Sequence, residues 1–148
     1  MVIALAVILM AVAVPSLRGQ FTRQRLQKTF DQLDGLAAEA RQLAMREGKP
    51  YLLAWDKEGN VRLYPAELSN AARRKQGPAA SLLATKDTGR YKLFRPSALT
   101  GQPSAEWTFW PSGTCEPVIV KFAGVGGEWE ANYSALSGRG NLVRFIAL

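Results

Sequence analysis

A chain of 148 residues, 47% of them hydrophobic, holds enough apolar material for one domain with its own core, and it carries a formal charge of +7 with no histidine. Without histidine it lacks the commonest metal ligand and general base and cannot build a Ser-His-Asp or Cys-His pair; the lone Cys115 excludes an internal disulfide and any multi-cysteine metal site. The composition argues against an enzyme, calls for no cofactor, and favours anionic partners (lipid head groups, nucleic acid or acidic protein) without selecting one.

The chain opens with MVIALAVILMAVAV, fourteen residues from Met1 to Val14 without a polar side chain. Eight of them are Val, Ile or Leu, which favours insertion into a bilayer by roughly 2 to 5 kcal/mol. As a helix the run covers only about 21 Å of a hydrocarbon core about 30 Å thick. Two readings resolve the shortfall. One is a secretory signal peptide with Ala11-Val12-Ala13 as its small-x-small cleavage site; the other is a chain that begins late, with about two more helical turns upstream.

The stretch MVIALAVILMAVAVPSL resembles the body of the N-terminal helix of type IV pilins and pseudopilins. In that family the mature chain begins with a Phe-Thr-Leu-Ile-Glu type segment, continues apolar, and reaches a proline followed by a small polar residue and leucine. Pro15, Ser16 and Leu17 stand in those places. The resemblance implies that Val2, Ile3, Leu5, Ile8, Leu9, Val12 and Pro15 lie in a membrane-inserted and filament-forming helix. It also implies that the leader peptide, the glycine before the cleavage point, the methylated first residue and the fifth-position glutamate fall before Met1. A generic single-pass anchor is the alternative.

Pro15 lacks a donor and crowds the preceding turn, so a kink is expected where membrane gives way to water. Below it Leu26, Phe30, Leu33, Ala37, Ala40 and Ala44 recur in steps of three and four, with Leu36 and Leu43 beside them, an apolar stripe on a helix. Arg23, Lys28, Asp31, Asp34, Glu39, Arg41 and Arg46 make the polar side. The change from Leu and Phe to alanine lets a sheet come close at the lower end. Gly48 and Pro50 then stop the helix. A coiled-coil seam competes for the same stripe, against which stand fewer than four heptads and three alanines. Arg18, Arg23, Arg25 and Lys28 follow the apolar run; by the positive-inside rule that side stays cytoplasmic, whereas the pilin resemblance requires it outside.

Tyr51 to Trp55 and Val61 to Tyr64 flank Asp56-Lys57-Glu58-Gly59-Asn60 as a hairpin. The passage ARQLAMREGKPYLLAW resembles the helix-to-first-strand junction of the pseudopilin group that includes the general secretion pathway H protein and the FimT pilins, with Arg46, Gly48 and Pro50 matching its turn. Residues 65–89 read as a polar loop, and Arg73-Arg74-Lys75 within it as a solvated charge run. Arg90 to Phe94, Ala105 to Trp110, Pro117 to Ala123, Glu128 to Leu136 and Leu142 to Ala147 read as strands between Pro and Gly punctuation. Strands in series after a long helix give α+β with an antiparallel sheet.

Phe109-Trp110-Pro111-Ser112-Gly113 resembles the family's Phe-x-Pro-x-Gly turn, and Leu136-Ser137-Gly138-Arg139 its late turn before the last strand. Trp107 and Trp110 would face opposite ways on one strand, with packing the default for both. Gly124, Gly126 and Gly127 make no phosphate loop, for no Lys-Ser/Thr follows. Cys115 beside Glu116 has no basic neighbour and reads as a small structural residue.

The organisation expected is a membrane-inserted segment 1–17, an amphipathic stalk 18–48 and a β-rich domain 49–148. With the resemblance, the expected fold is pilin-like, a long helix with its lower half packed on an antiparallel sheet. The expected role is a minor pseudopilin of a type II secretion system, single-pass in a bacterial inner membrane with its domain in the periplasm. Its partners would be other pseudopilins, secretion-system membrane components and the lipid bilayer. A FimT-like minor pilin binding DNA in uptake and a secreted domain freed after Ala13 are the alternatives.

Overall fold

The computed structural model describes residues 2–56, 59–68, 72, 82–83, 89–96 and 103–148, and the side chains of all of these except 2–18 and 82–83. One helix, α1, runs Val2–Glu47. Its 46 residues make a rod about 70 Å long. It ends where sequence chemistry demands: Gly48 takes φ 65°, a left-handed conformation that glycine adopts without a Cβ penalty, and Pro50 follows. The kink expected at Pro15 falls where the side chains lie outside the described residues.

Among the described residues eight strands follow: β1 Tyr51–Trp55, β2 Val61–Pro65, β3 Leu82–Leu83, β4 Arg90–Phe94, β5 Glu106–Phe109, β6 Val118–Gly124, β7 Gly127–Tyr133 and β8 Gly140–Ala147. They form two four-stranded antiparallel sheets, in the order β3-β2-β1-β5 and β4-β6-β7-β8. The sequence led us to expect one sheet, and the division has a local cause. β5 crosses back to pair with β1, Tyr51 opposite Phe109 and Leu53 opposite Trp107. Pro111 and Pro117 then bracket the passage into β6, and prolines cannot donate to a continuous ladder. Among the described residues two isolated bridges, Leu93–Ser104 and Phe109–Cys115, add to this pairing.

Several element boundaries also differ from the sequence reading. The stretch 65–89 contains β3, whose Leu82 and Leu83 pair with Arg62 and Val61. β5 stops at Phe109, leaving Trp110 in the following turn, and β7 stops at Tyr133, so Leu136 lies in a turn.

Alternation along the strands decides the core. In β7 the burial pattern puts Gly127, Trp129, Ala131 and Tyr133 inside, and in β6 it puts Val118, Val120 and Phe122 inside. Trp107, Phe109, Trp129, Tyr133 and Phe122 are the largest fully buried side chains. Trp129 stacks on Phe122 at 5.8 Å and receives the edge of Phe30 at 5.2 Å. Trp107 packs on Tyr133 at 4.7 Å. Both sheets and α1 therefore share one core.

Candidate functional site

Nothing in the described residues suggests chemistry, so the site is sought where α1 is fastened and where it is left free. Leu26, Phe30, Leu33, Leu36, Ala37, Ala40 and Ala44 are all buried, and Leu33 and the three alanines have no exposed surface. These side chains turn one stripe of the helix into the sheets. Val2, Ile3, Leu5, Ile8, Leu9, Val12 and Pro15 precede this stripe on the same helix, and their side chains lie outside the described residues.

Thr29 sits on the buried stripe, three residues after Leu26 and four before Leu33, and it is the one buried polar residue of the described set. Its hydroxyl donates to the Leu26 carbonyl at 2.6 Å and accepts from the Trp129 indole at 2.8 Å. Its own carbonyl accepts from the Tyr91 hydroxyl at 2.8 Å. One helical residue thus satisfies two aromatic donors from β4 and β7 inside the core, where an unpaired donor is costly. Burial raises the Tyr91 phenol above its usual range, which keeps it protonated as a donor.

Lower down, Asp34 and Arg41 lie seven residues apart on one flank of the stripe. Sequence reasoning put both on the solvent side; instead each reaches the domain. The Asp34 carboxylate accepts from the Gly140 amide at 2.9 Å, where β8 begins. The Arg41 guanidinium donates through Nε to the Gly113 carbonyl at 2.7 Å. Gly113 (φ 85°) and Gly138 (φ 58°) both need left-handed backbone. A Cβ on Gly138 would lie 3.0 Å from Arg41 Cδ, and one on Gly113 would lie 3.1 Å from Met45 Sδ. The two family-like turns, 109–113 and 136–139, therefore converge on Arg41. Within the first, Phe109 is buried and Pro111 exposed.

At the exit of the helix Glu47 accepts a hydrogen bond from the Tyr51 hydroxyl. That bond holds the Glu47 carboxyl below its usual range, and burial, followed by Glu47 itself, pushes Tyr51 up to about 12. Cys115 is buried, its thiol raised by burial and directed at the Ser134 carbonyl 3.4 Å away. A raised thiol is a poor nucleophile. Among the described residues no group of Cys, Asp and Glu is arranged to hold a metal, and no helix is long and apolar enough to cross a membrane.

Trp107 is fully buried and its indole donates to the Glu116 carbonyl at 2.9 Å, while Trp110 is 39% exposed. The other large exposed apolar side chains include Phe21, Val125 and Leu148 near the start of the packed helix, and Met45 and Leu136 near its end. Sequence reasoning missed Thr29, Asp34 and Arg41. For Thr29 the signal was its place in the apolar spacing, a polar side chain where a core residue belongs.

No family model matches the chain, and no curated protein sequence does either. Solved structures do. The minor pseudopilin EpsH from the Type 2 Secretion System of Vibrio cholerae is 12% identical, over 80% of this chain and 94% of that one, with a TM-score of 0.56. A second structure of the same pseudopilin gives 10% identity over 85% and 98%, with a TM-score of 0.59. The type IV minor pilin FimU of Pseudomonas aeruginosa is 17% identical, over 82% and 90%, with a TM-score of 0.54. At these identities the likeness establishes the fold: a pilin-like α+β domain on a long N-terminal helix.

Proposed function

We propose that this pilin-like chain is a minor pseudopilin, a structural subunit of the short periplasmic filament of a type II secretion system. In this reading residues 1–17 hold it in the bacterial inner membrane, 18–48 form the stalk, and 49–148 stand outside the cytoplasm. The observation that carries it is the continuity of α1, one helix leading from a wholly apolar sequence into a half that the domain clasps from Leu26 onward. A helix that begins with a wholly apolar sequence needs lipid or neighbouring helices for that end. The same end serves both: it stores the subunit in the bilayer, then packs beside other pilin-like helices. Helix association in lipid relies on close apposition, for which Ala4, Ala6, Ala11 and Ala13 provide small surfaces.

Cysteine cross-linking tests the reading. With Leu9→Cys expressed beside the other pilin-like subunits of a secretion system, the chain should fractionate with membranes and cross-link to a neighbouring subunit. A chain that fractionates as a free monomer contradicts it.

A FimT-like pilin that binds DNA is the second reading, and one surface favours it. On the outer face of the second sheet Lys121 pairs with Glu130 at 3.6 Å and Arg144 with Glu128 at 3.0 Å, which leaves Arg90 and Lys92 without an acidic partner among the described residues. Nonspecific DNA binding weakens steeply with salt. A gel-shift titration without retardation even at low salt removes this reading. N-terminal sequencing of exported protein tests the third, cleavage after Ala13.

A further inference from the structure

The turn joining β6 and β7 does not stop at the sheet. It folds back against the start of the packed helix. A Cβ on Gly126 would lie 3.6 Å from Thr22 Cγ2, and the Leu148 amide donates to the Gly126 carbonyl at 3.1 Å. Val125, at the tip of this turn, is 90% exposed, and Phe21 on the adjoining helical turn is 60% exposed. Two large apolar side chains thus face solvent at the end of the domain from which the apolar run departs.

Between the turn and the helix lies an open groove of about 530 Å³ lined by Thr22, Arg25, Lys28, Gln32, Val125 and Gly126. The charged side chains that line it, Arg25 and Lys28, are both basic. From Arg18 to Phe30 the sequence contains Arg18, Arg23, Arg25 and Lys28 and no Asp or Glu. Arg25 and Lys28 are exposed and have no carboxylate partner among the described residues. Two acidic side chains close by in sequence are engaged elsewhere: Asp31 accepts from Gln27 at 3.1 Å and Glu128 pairs with Arg144.

Distance places this surface at a lipid head-group layer. If the apolar helix leaves hydrocarbon at Leu17, then Phe21 sits about 6 Å and Arg25 about 12 Å further along the axis. The polar layer of one leaflet is roughly 5 to 8 Å deep. Phe21 then lies within that layer, and the long side chains of Arg25 and Lys28, whose backbones stand about 12 and 16 Å out, lean back along the helix toward its outer edge, as cations of interfacial segments do on anionic membranes.

We propose that the β6–β7 turn and the first exposed turns of α1 form a foot that docks on anionic phospholipid head groups, with Val125 in the interface and the phosphates between Arg25 and Lys28. This rests on the membrane-anchored reading above. The foot gives the domain a second attachment and a fixed tilt on the bilayer, and leaving the membrane for a filament then requires releasing both.

The test uses the full chain in vesicles of phosphatidylcholine, with or without phosphatidylglycerol. Val125→Cys carries an environment-sensitive fluorophore, with Leu136→Cys at the other end of the domain as control; native Cys115 is buried and takes no label. The protein should float with both vesicles. The Val125 label should shift to an apolar environment only where phosphatidylglycerol is present, and the Leu136 label in neither. Each cation near an anionic surface contributes about fivefold, so Arg25→Gln with Lys28→Gln should lower the docked-to-lifted ratio by roughly 25-fold. A chain that floats while the Val125 label stays in water overturns the foot and leaves the anchor standing. Equal burial of that label in phosphatidylcholine alone overturns recognition of anionic head groups. Failure to float with either vesicle overturns anchor and foot together.

Discussion

From Leu26 to Asp34 the helix is held by bulk and by buried hydrogen bonds; from Ala37 to Glu47 it is held by alanines and an arginine. The first span buries Leu26, Phe30 and Leu33, sets Phe30 against Trp129 of the second sheet, and ties Thr29 to Tyr91 and Trp129. The second buries Ala37, Ala40 and Ala44 completely, and with such short side chains a neighbouring backbone can come close enough for Arg41 to reach the Gly113 carbonyl. One rod is fastened in two ways. The upper fastening lies in the core and should decide whether the domain folds, while the lower lies at the rim and should decide how firmly two turns are set.

The sharpest break is Trp129→Ala. It removes a fully buried ring together with the donor to Thr29, and large aromatic truncations of this kind cost about 3 to 5 kcal/mol. Denaturant titration in detergent should show a destabilisation of that order; one below about 1 kcal/mol would mean that the upper fastening is not in the core. Thr29→Val comes next. The shape is nearly kept but the Trp129 indole loses its acceptor, at a cost of about 1 to 3 kcal/mol. Thr29→Ser keeps the hydroxyl, so most of that loss should return, and equal destabilisation by the two would assign the effect to packing instead.

Arg41→Gln should cost less, roughly 1.5 kcal/mol, since one charge-assisted bond at a half-buried site is lost. Its signature should be local: faster amide exchange in residues 111–114, with the near-ultraviolet circular dichroism of the buried tryptophans unchanged. Spread of the effect to the Thr29 region would join the two fastenings into one.

The smallest effect at neutral pH belongs to the Glu47–Tyr51 bond, which shows only in alkali. The folded chain holds the Tyr51 proton to about pH 12, against about 10 for the ordinary phenol, so this contribution is complete below pH 10 and is lost as pH rises from 10 to 12. Absorbance at 295 nm should show it titrating late, and Glu47→Gln should move it partway back toward 10, with burial accounting for the remainder. A Tyr51 that titrates at 10 in the wild type contradicts the bond.

These residues also show why part of the molecule was legible beforehand. A helix projects its sequence at a fixed period, so Leu26, Phe30, Leu33, Ala37, Ala40 and Ala44 could be read as one buried stripe, and Gly48 as its stop. Short apolar runs between Gly and Pro punctuation likewise exposed β1, β2, β4 and β6. What local pattern cannot carry is pairing over distance. Thr29 meets Tyr91 and Trp129 across 62 and 100 residues, and Arg41 meets Gly113 across 72. On the sequence alone Arg41 reads as solvated, and Thr29 stands in the apolar spacing with nothing to show which donors it meets. The division into two sheets escaped for the same reason, since it depends on β5 returning to β1.

Amide hydrogen exchange along α1 in the full chain, compared between detergent solution and lipid vesicles, tests the two-part rod most directly. Amides of residues 26–44 should be protected alike in both, because the domain itself covers them, whereas those of residues 2–14 should gain their strongest protection in the bilayer. Rapid exchange across 26–44 in either medium, or protection of 2–14 that is indifferent to lipid, would contradict a helix clasped below and anchored above.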